Sequence, residues 1–263
     1  MLLLCACGFF EKSRAGIYFT SENQIALAEA AVNGQTDKIQ QLLSAGTPIN
    51  AQGKDGMTAL IWALMHNGKL GFQYLLEHGA DPDLQLTATD PSLDPYTMGN
   101  SAISIAAQVK DPFYLEIVLK HGGNPNLVNL QTTLTPIDDS IQSRLPEQAK
   151  MLIAVGANLN FQDRNGETPL VIAAMANSYD IVYALLEAGA DPTIKNKWGN
   201  TIVYFIERSR TAPATEDYQW RSKTIDLLQA KGIEVGPVAG PSYAPIINVN
   251  STPSEYLQNN GNH

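Results

Sequence analysis

Four histidines, two cysteines and a scatter of carboxylates are the residues of this 263-residue chain with types suited to chemistry. His66, His78, His121 and His263 show no metal-ligand spacing. Cys5 and Cys7 lie at the start, far from every histidine, which excludes a cysteine zinc site and a disulfide-held core. His78 and His121 each stand directly before a glycine, where an imidazole suits the C-terminal end of a helix dipole. Asp90 with Asp94, and Asp138 with Asp139, lack the loop spacing of a calcium site and read as solvated turns and caps. There is no nucleophile elbow, phosphate loop or paired Cys–His arrangement. The chain reads as a binding protein, not an enzyme, with no metal and no cofactor.

The elements say more than the reactive groups. The stretch 163–195, DRNGETPLVIAAMANSYDIVYALLEAGADPTIK, holds one complete unit. Asn165-Gly166 marks a tight turn, since glycine takes positive φ without steric penalty. Thr168 caps a short helix that begins at Pro169, where a missing N–H does no harm. Leu170, Ile172, Ala173 and Ala174 form its apolar body. A second helix carries Ile181, Val182, Leu185 and Leu186 at helical spacing, and Gly189 followed by Asp191-Pro192 ends it. Neither helix is long enough to stand alone, so the unit must be stacked between copies of itself. Gly46, Gly79, Gly122, Gly156, Gly189 and Gly232 mark six such units, at spacings of 33, 43, 34, 33 and 43 residues.

This pattern resembles the ankyrin repeat, whose period is about 33 residues. The family's T-P-L-H-x-A motif stands as Thr168-Pro169-Leu170-Val171-Ile172-Ala173, with Val171 in place of His. Degraded copies are Thr58-Ala59-Leu60, Ser101-Ala102-Ile103 and Thr135-Pro136-Ile137. The resemblance implies an all-α solenoid of about six helix-turn-helix repeats, joined by short β-turn or hairpin connections. The repeats fall at about 22–54, 55–86, 87–127, 128–160, 161–194 and 195–235. The first long spacing places an insertion at 84–95, where two Asp-Pro pairs favour turns. The second places one at 207–219, between the two helices of repeat six. Repeat four is the weakest match, with Asp138 and Asp139 where the family prefers apolar residues or His. Residues 236–263, rich in Pro, Asn and Gly, read as irregular.

A net charge of −9 argues against a nucleic-acid partner and suits a soluble protein, or one whose partner has a basic surface. Leu4-Cys5-Ala6-Cys7 resembles a bacterial lipobox, in which Cys7 becomes acylated, and Gly8 by the same resemblance favours the outer membrane. The segment before Cys7 has no positive n-region and few apolar residues, so it reads as a truncated signal. Residues 1–21 are then signal and tether, with 8–21 the tether itself. No stretch reaches the roughly 18 apolar residues that span a bilayer, so any membrane attachment is through the lipid alone. The alternative is a cytoplasmic chain with an apolar N-terminus.

In ankyrin proteins the partner meets the turn tips and the exposed face of the first helix of each repeat. Carried over position by position, this gives Lys54, Asp55, Met57, Met65 and His66 in repeat two, and Thr97, Met98, Asn100 and Gln108 in repeat three. Repeat four gives Gln131, Thr132, Leu134 and Gln142, and repeat five Arg164, Asn165, Glu167 and Met175. Repeat six gives Lys197, Trp198 and Asn200. Trp198 leads the set, because a Trp at a turn tip is expensive to expose and Trp is enriched among interface hot spots. Met57, Met65, Met98 and Met175 form an adaptable apolar patch. With the lipobox, the chain is similar to bacterial periplasmic immunity proteins that neutralise type VI secretion phospholipase effectors. That resemblance implies a membrane-anchored periplasmic protein with a secreted lipase or phospholipase as partner. The alternatives are a general ankyrin scaffold for another bacterial protein and a host-directed ankyrin effector.

Overall fold

All six glycines singled out by the spacing take a left-handed backbone, from φ 78° at Gly232 to 93° at Gly189. A Cβ at any of them would meet nothing within 4 Å. Backbone conformation, not crowding, therefore demands glycine there, and each one ends the second helix of a pair. In the computed structural model, which describes residues 15–87, 99–211 and 215–236, twelve α-helices and no strand are formed among the described residues. The pairs are α1 (Glu22–Val32) with α2 (Thr36–Ser44), α3 (Ala59–Met65) with α4 (Lys69–Glu77) and α5 (Ala102–Gln108) with α6 (Pro112–Lys120). They continue with α7 (Pro136–Gln142) and α8 (Pro146–Ala154), α9 (Pro169–Met175) and α10 (Tyr179–Glu187), and α11 (Ile202–Arg208) and α12 (Glu216–Ala230).

First helices stack on first helices, from α1 through α3, α5, α7 and α9 to α11, and second helices likewise from α2 to α12. One apolar residue per repeat repeats the same packing. Leu60, Ile103, Ile137 and Leu170 fill the first row, and Leu75, Val118, Leu152, Leu185 and Leu228 the second; all are buried. Thr58 and Thr168 cap α3 and α9 by accepting the N–H of Ile61 and Val171, and Ser101 with Ser104 forms a capping box on α5. Beyond each of the first four glycines an Asx side chain accepts the N–H of the next repeat. Asn50 Oδ1 takes Asp81 at 2.8 Å, Asp83 Oδ1 takes Asn124 at 3.0 Å, Asn126 Oδ1 takes Asn158 at 2.6 Å and Asn160 Oδ1 takes Asp191 at 2.9 Å. This ladder ties five repeats edge to edge and satisfies backbone groups that the loops would otherwise leave open.

Three expectations are corrected or refined. The tether at 8–21 gives way to folded structure at Ala15: Ala15 and Phe19 are buried, Phe19 and Tyr18 pack on Trp62, and Tyr18 O accepts the N–H of Lys54 at 2.7 Å. The insertion of repeat six is only partly loop, since α12 runs 15 residues and absorbs 216–219 as helix. Its extension holds Arg221, which is buried and donates to Ile206 O at 3.1 Å. Among the described residues the connections are tight turns without paired strands, and that of repeat four is one residue longer, which accounts for the spacing of 34. Most of the 84–95 insertion (88–95), the tail 237–263 and residues 1–14, with Cys7, lie outside the described residues.

Candidate protein-binding face

The turns between repeats are each closed by one backbone hydrogen bond: Gly53 N–H to Met57 O, Asn129 to Leu134, Asp163 to Glu167 and Asn196 to Asn200. A side chain at the turn's first residue shapes the three equivalent later turns. Asp163 Oδ1 accepts the N–H of Asn165 and Glu167, both at 2.8 Å, and Asn196 Oδ1 those of Trp198 at 3.1 Å and Asn200 at 3.0 Å. Asn129 Oδ1 does the same for Gln131 and Thr132. The tips are then laced to one another: Lys197 N–H donates to Asn165 O at 3.0 Å, and Arg164 N–H to Thr133 Oγ1 at 2.9 Å. They form a row of rigid projections beside the first helices.

The expected contact residues divide by burial. Lys54, Thr132, Gln142, Arg164 and Lys197 are exposed, and Asp55, His66, Gln108, Gln131, Leu134, Asn165, Met175 and Asn200 are half-buried. Met65 is exposed on the first-helix face, and Trp198 stands 60% exposed at its tip. Met57, Asn100 and Glu167 are corrected: all three are buried, so they present no side chain to a partner. Met57 packs into the core below its turn, and Asn100 accepts from Asn129 at 2.9 Å to join adjacent turns. Glu167 lies under its own turn; burial, then the charge of Asp163, pushes its carboxyl up to about 7. The patch of four methionines loses Met57, which is core; Met98, like Thr97, lies outside the described residues. His66 stacks on Trp62 with ring centroids 4.0 Å apart, and its Nδ1 is 2.9 Å from Trp62 O.

Two surface residues escaped the sequence reading. Leu130, at the tip of the longer turn, is 83% exposed. Tyr204, on α11, is exposed beneath the guanidinium of Arg208, 3.8 Å from its ring. Setting Asn129 against Asp163 and Asn196 locates Leu130 at a tip from sequence alone. Asp138, expected as a cap, does form a capping box with Thr135 on α7, but both Asp138 and Asp139 are buried there, not solvated. Asp138 accepts the N–H of Thr135 at 2.9 Å and its hydroxyl at 2.7 Å, yet burial outweighs these bonds and pushes its carboxyl up to about 6. Burial, reinforced by Asp138, raises Asp139 well above the usual carboxylate range. Among the described residues no three His, Cys, Asp or Glu side chains are placed to hold a metal ion, and no helix is long and apolar enough to cross a membrane.

The comparisons with known proteins agree with this geometry. The family model described as ankyrin repeats (3 copies) matches residues 2–86 and 103–196. Protein PhlB of Serratia liquefaciens is 33% identical over 159 residues, 60% of this chain and 65% of PhlB. The mouse B-cell lymphoma 3 protein homolog is 23% identical over 222 residues, 84% of this chain and 45% of that protein. The chain thus spans less than two thirds of the length of either relative. The crystal structure of an ankyrin repeat domain from Acinetobacter baumannii AYE superposes with a TM-score of 0.63 at 27% identity, covering 79% of this chain and 98% of that one. Six stacked helix pairs, their left-handed glycines and the matched profile place this chain in the ankyrin-repeat family.

Proposed function

We propose that the chain is a protein-binding module whose partner docks on the turn tips and the adjoining face of the first helices. The observation that carries this is the indole of Trp198, held 60% exposed on a turn whose backbone is fixed by Asn196. An apolar ring kept in water on a rigid tip is an anchor awaiting a pocket. Leu130 provides a second such group two repeats away. The exposed charges on these turns are the cations Lys54, Arg164 and Lys197. The expected result is that Trp198→Ala weakens partner binding by about 2 kcal/mol or more, with a smaller effect on folding. Lys223→Ala, on the second-helix side, serves as the control and leaves binding unchanged. Titration of each variant against the captured partner checks this; normal binding by Trp198→Ala with loss for Lys223→Ala places the partner on the opposite face.

The finer reading is a membrane-anchored periplasmic antagonist of a secreted phospholipase, of the type VI immunity kind. It is supported by the lipobox-like Leu4-Cys5-Ala6-Cys7 joined to an ankyrin scaffold, and by the suitability of a rigid solenoid for a large inhibitory interface. Acylation should then occur at Cys7. Metabolic labelling with a fatty-acid analogue marks the native full-length product and not Cys7→Ser; equal labelling of both, or of neither, removes the anchor.

A further inference from the structure

We propose that Asp138 and Asp139, together with Glu167, form a proton-operated joint between repeats four and five, tight when these three are protonated and loosened when they ionise. At the two positions where α7 carries acids, the sister helices carry Ile61 and Trp62, Ser104 and Ile105, or Val171 and Ile172. The acids thus interrupt a row of mainly apolar side chains in the middle of the stack, where α7 packs between α5 and α9. Oδ1 of Asp138 and Oδ2 of Asp139 are buried and have no hydrogen-bond partner among the described residues, and both side chains are more than nine-tenths buried.

The surroundings offer no compensating charge. α5 and α9 carry no titratable side chain, nor does the turn 129–134. α8 carries Glu147 and Lys150, both exposed, and Arg144 between α7 and α8 is exposed with its guanidinium on Ala176 O. The turn 163–167 adds Asp163 and Glu167, while its one cation, Arg164, is exposed and directed to Thr133 Oγ1. Ionising the pair therefore buries unpaired like charges, which a folded chain avoids by keeping the protons or by opening. The raised carboxyls of Asp138, Asp139 and Glu167 express the same balance.

The sign follows from linkage. These groups hold protons in the folded state at pH values where the unfolded chain has released them, so stability is full below the ordinary carboxylate range and falls as pH rises. The fall runs through about 6 for Asp138 and about 7 for Glu167, and Asp139, raised by burial, adds to it in the same sense. The carboxyls of Asp111 and Asp191, lowered by bonds to Lys69 and Thr193, act in the opposite sense but below the ordinary carboxylate range.

The test needs no partner and is independent of the binding reading. Urea unfolding of the full chain is followed between about pH 5 and pH 8, for the wild type, Asp139→Asn and Asp139→Ile. The wild-type midpoint should fall across this range; both variants should flatten the fall and exceed the wild type at the alkaline end. Hydrogen exchange, corrected for its intrinsic pH dependence, should show the wild-type loss of protection concentrated in α7 to α9, not in α1 to α4. Asp139→Ile restores the residue type of Ile105 and Ile172, so it reports even if the amide variant folds poorly. A wild-type midpoint that is flat or rises with pH, or a fall that persists unchanged in both variants, overturns the proposal.

Discussion

Leu185→Ala lowers the stability of the repeat domain by about 2–5 kcal/mol, the range for a fully buried leucine whose neighbours cannot close the space. Leu185 is completely buried in α10, which packs on α9 within its repeat and on α8 and α12 to either side. Tyr179, Ile181, Val182 and Leu186 of the same helix are equally buried, so no flexible surface residue can swing in to fill the cavity. The loss therefore combines the transfer energy of the removed carbons with a cavity that persists. In a stacked array each repeat depends on its neighbours, and damage in repeat five weakens two interfaces at once. Leu70→Ala is the matched control: Leu70 is 68% exposed on α4, and its loss should stay within about 0.5 kcal/mol. Urea midpoints of the two variants measure the contrast, and equal midpoints would falsify the stacked-repeat packing.

What the sequence displayed follows from which constraints are local. A left-handed backbone at a helix end is a demand on one residue, so the six glycines could be read directly and gave both the period and the insertions. The caps at Thr168 and Pro169 are local in the same way. Burial within the turns was not legible. Met57, Asn100 and Glu167 sit one residue before a cap, and whether that position faces in or out depends on the turn of the neighbouring repeat beneath it. Asp138 and Asp139 misled for a related reason: acids near a helix start usually mean solvated caps, and only the stacking of α5 and α9 over α7 takes water away from them. The folded part of the N-terminal segment depended on contacts 43 or more residues away, between Tyr18 or Phe19 and Trp62. The exposed tip at Leu130 was available in principle, because the extra residue that produces it is visible in the spacing of 34.

Gly71→Ala tests the close approach of α4 to α1, and two opposing effects make the outcome decisive. Gly71 is the third residue of α4. Its counterpart in α6, Tyr114, reaches back to donate its hydroxyl to Asn67 at 2.8 Å, and in α8 Gln148 reaches Val109 O at 2.9 Å. In repeats two to four that position meets the C-terminal end of the preceding first helix. At Gly71 no side chain intervenes: a Cβ would fall inside contact distance of the carbonyl and Cα of Ala31 in α1, and one at nearby Gly68 would sit 2.7 Å from Ala31 O. Because the obstacle is backbone, no rotamer relieves it, and α4 must move away from α1. Overpacking of this kind costs about 3 kcal/mol at the upper end of its range, while replacing a helical glycine by alanine returns at most about 1 kcal/mol. The clash wins, leaving a net loss of about 2 kcal/mol and a melting temperature lower by roughly 4–8 °C for a domain of this size. The damage should be local, with hydrogen-exchange protection lost in α1 and α2, which pack on α3 and α4, and retained in the distant α9 and α10. Gly46→Ala separates the two mechanisms: its Cβ meets nothing within 4 Å, so it pays only the strain of φ 87°, about 1 kcal/mol, without loosening α1 from α4. If Gly71→Ala instead raises the melting temperature, helix propensity alone is acting and the two helices do not touch as described.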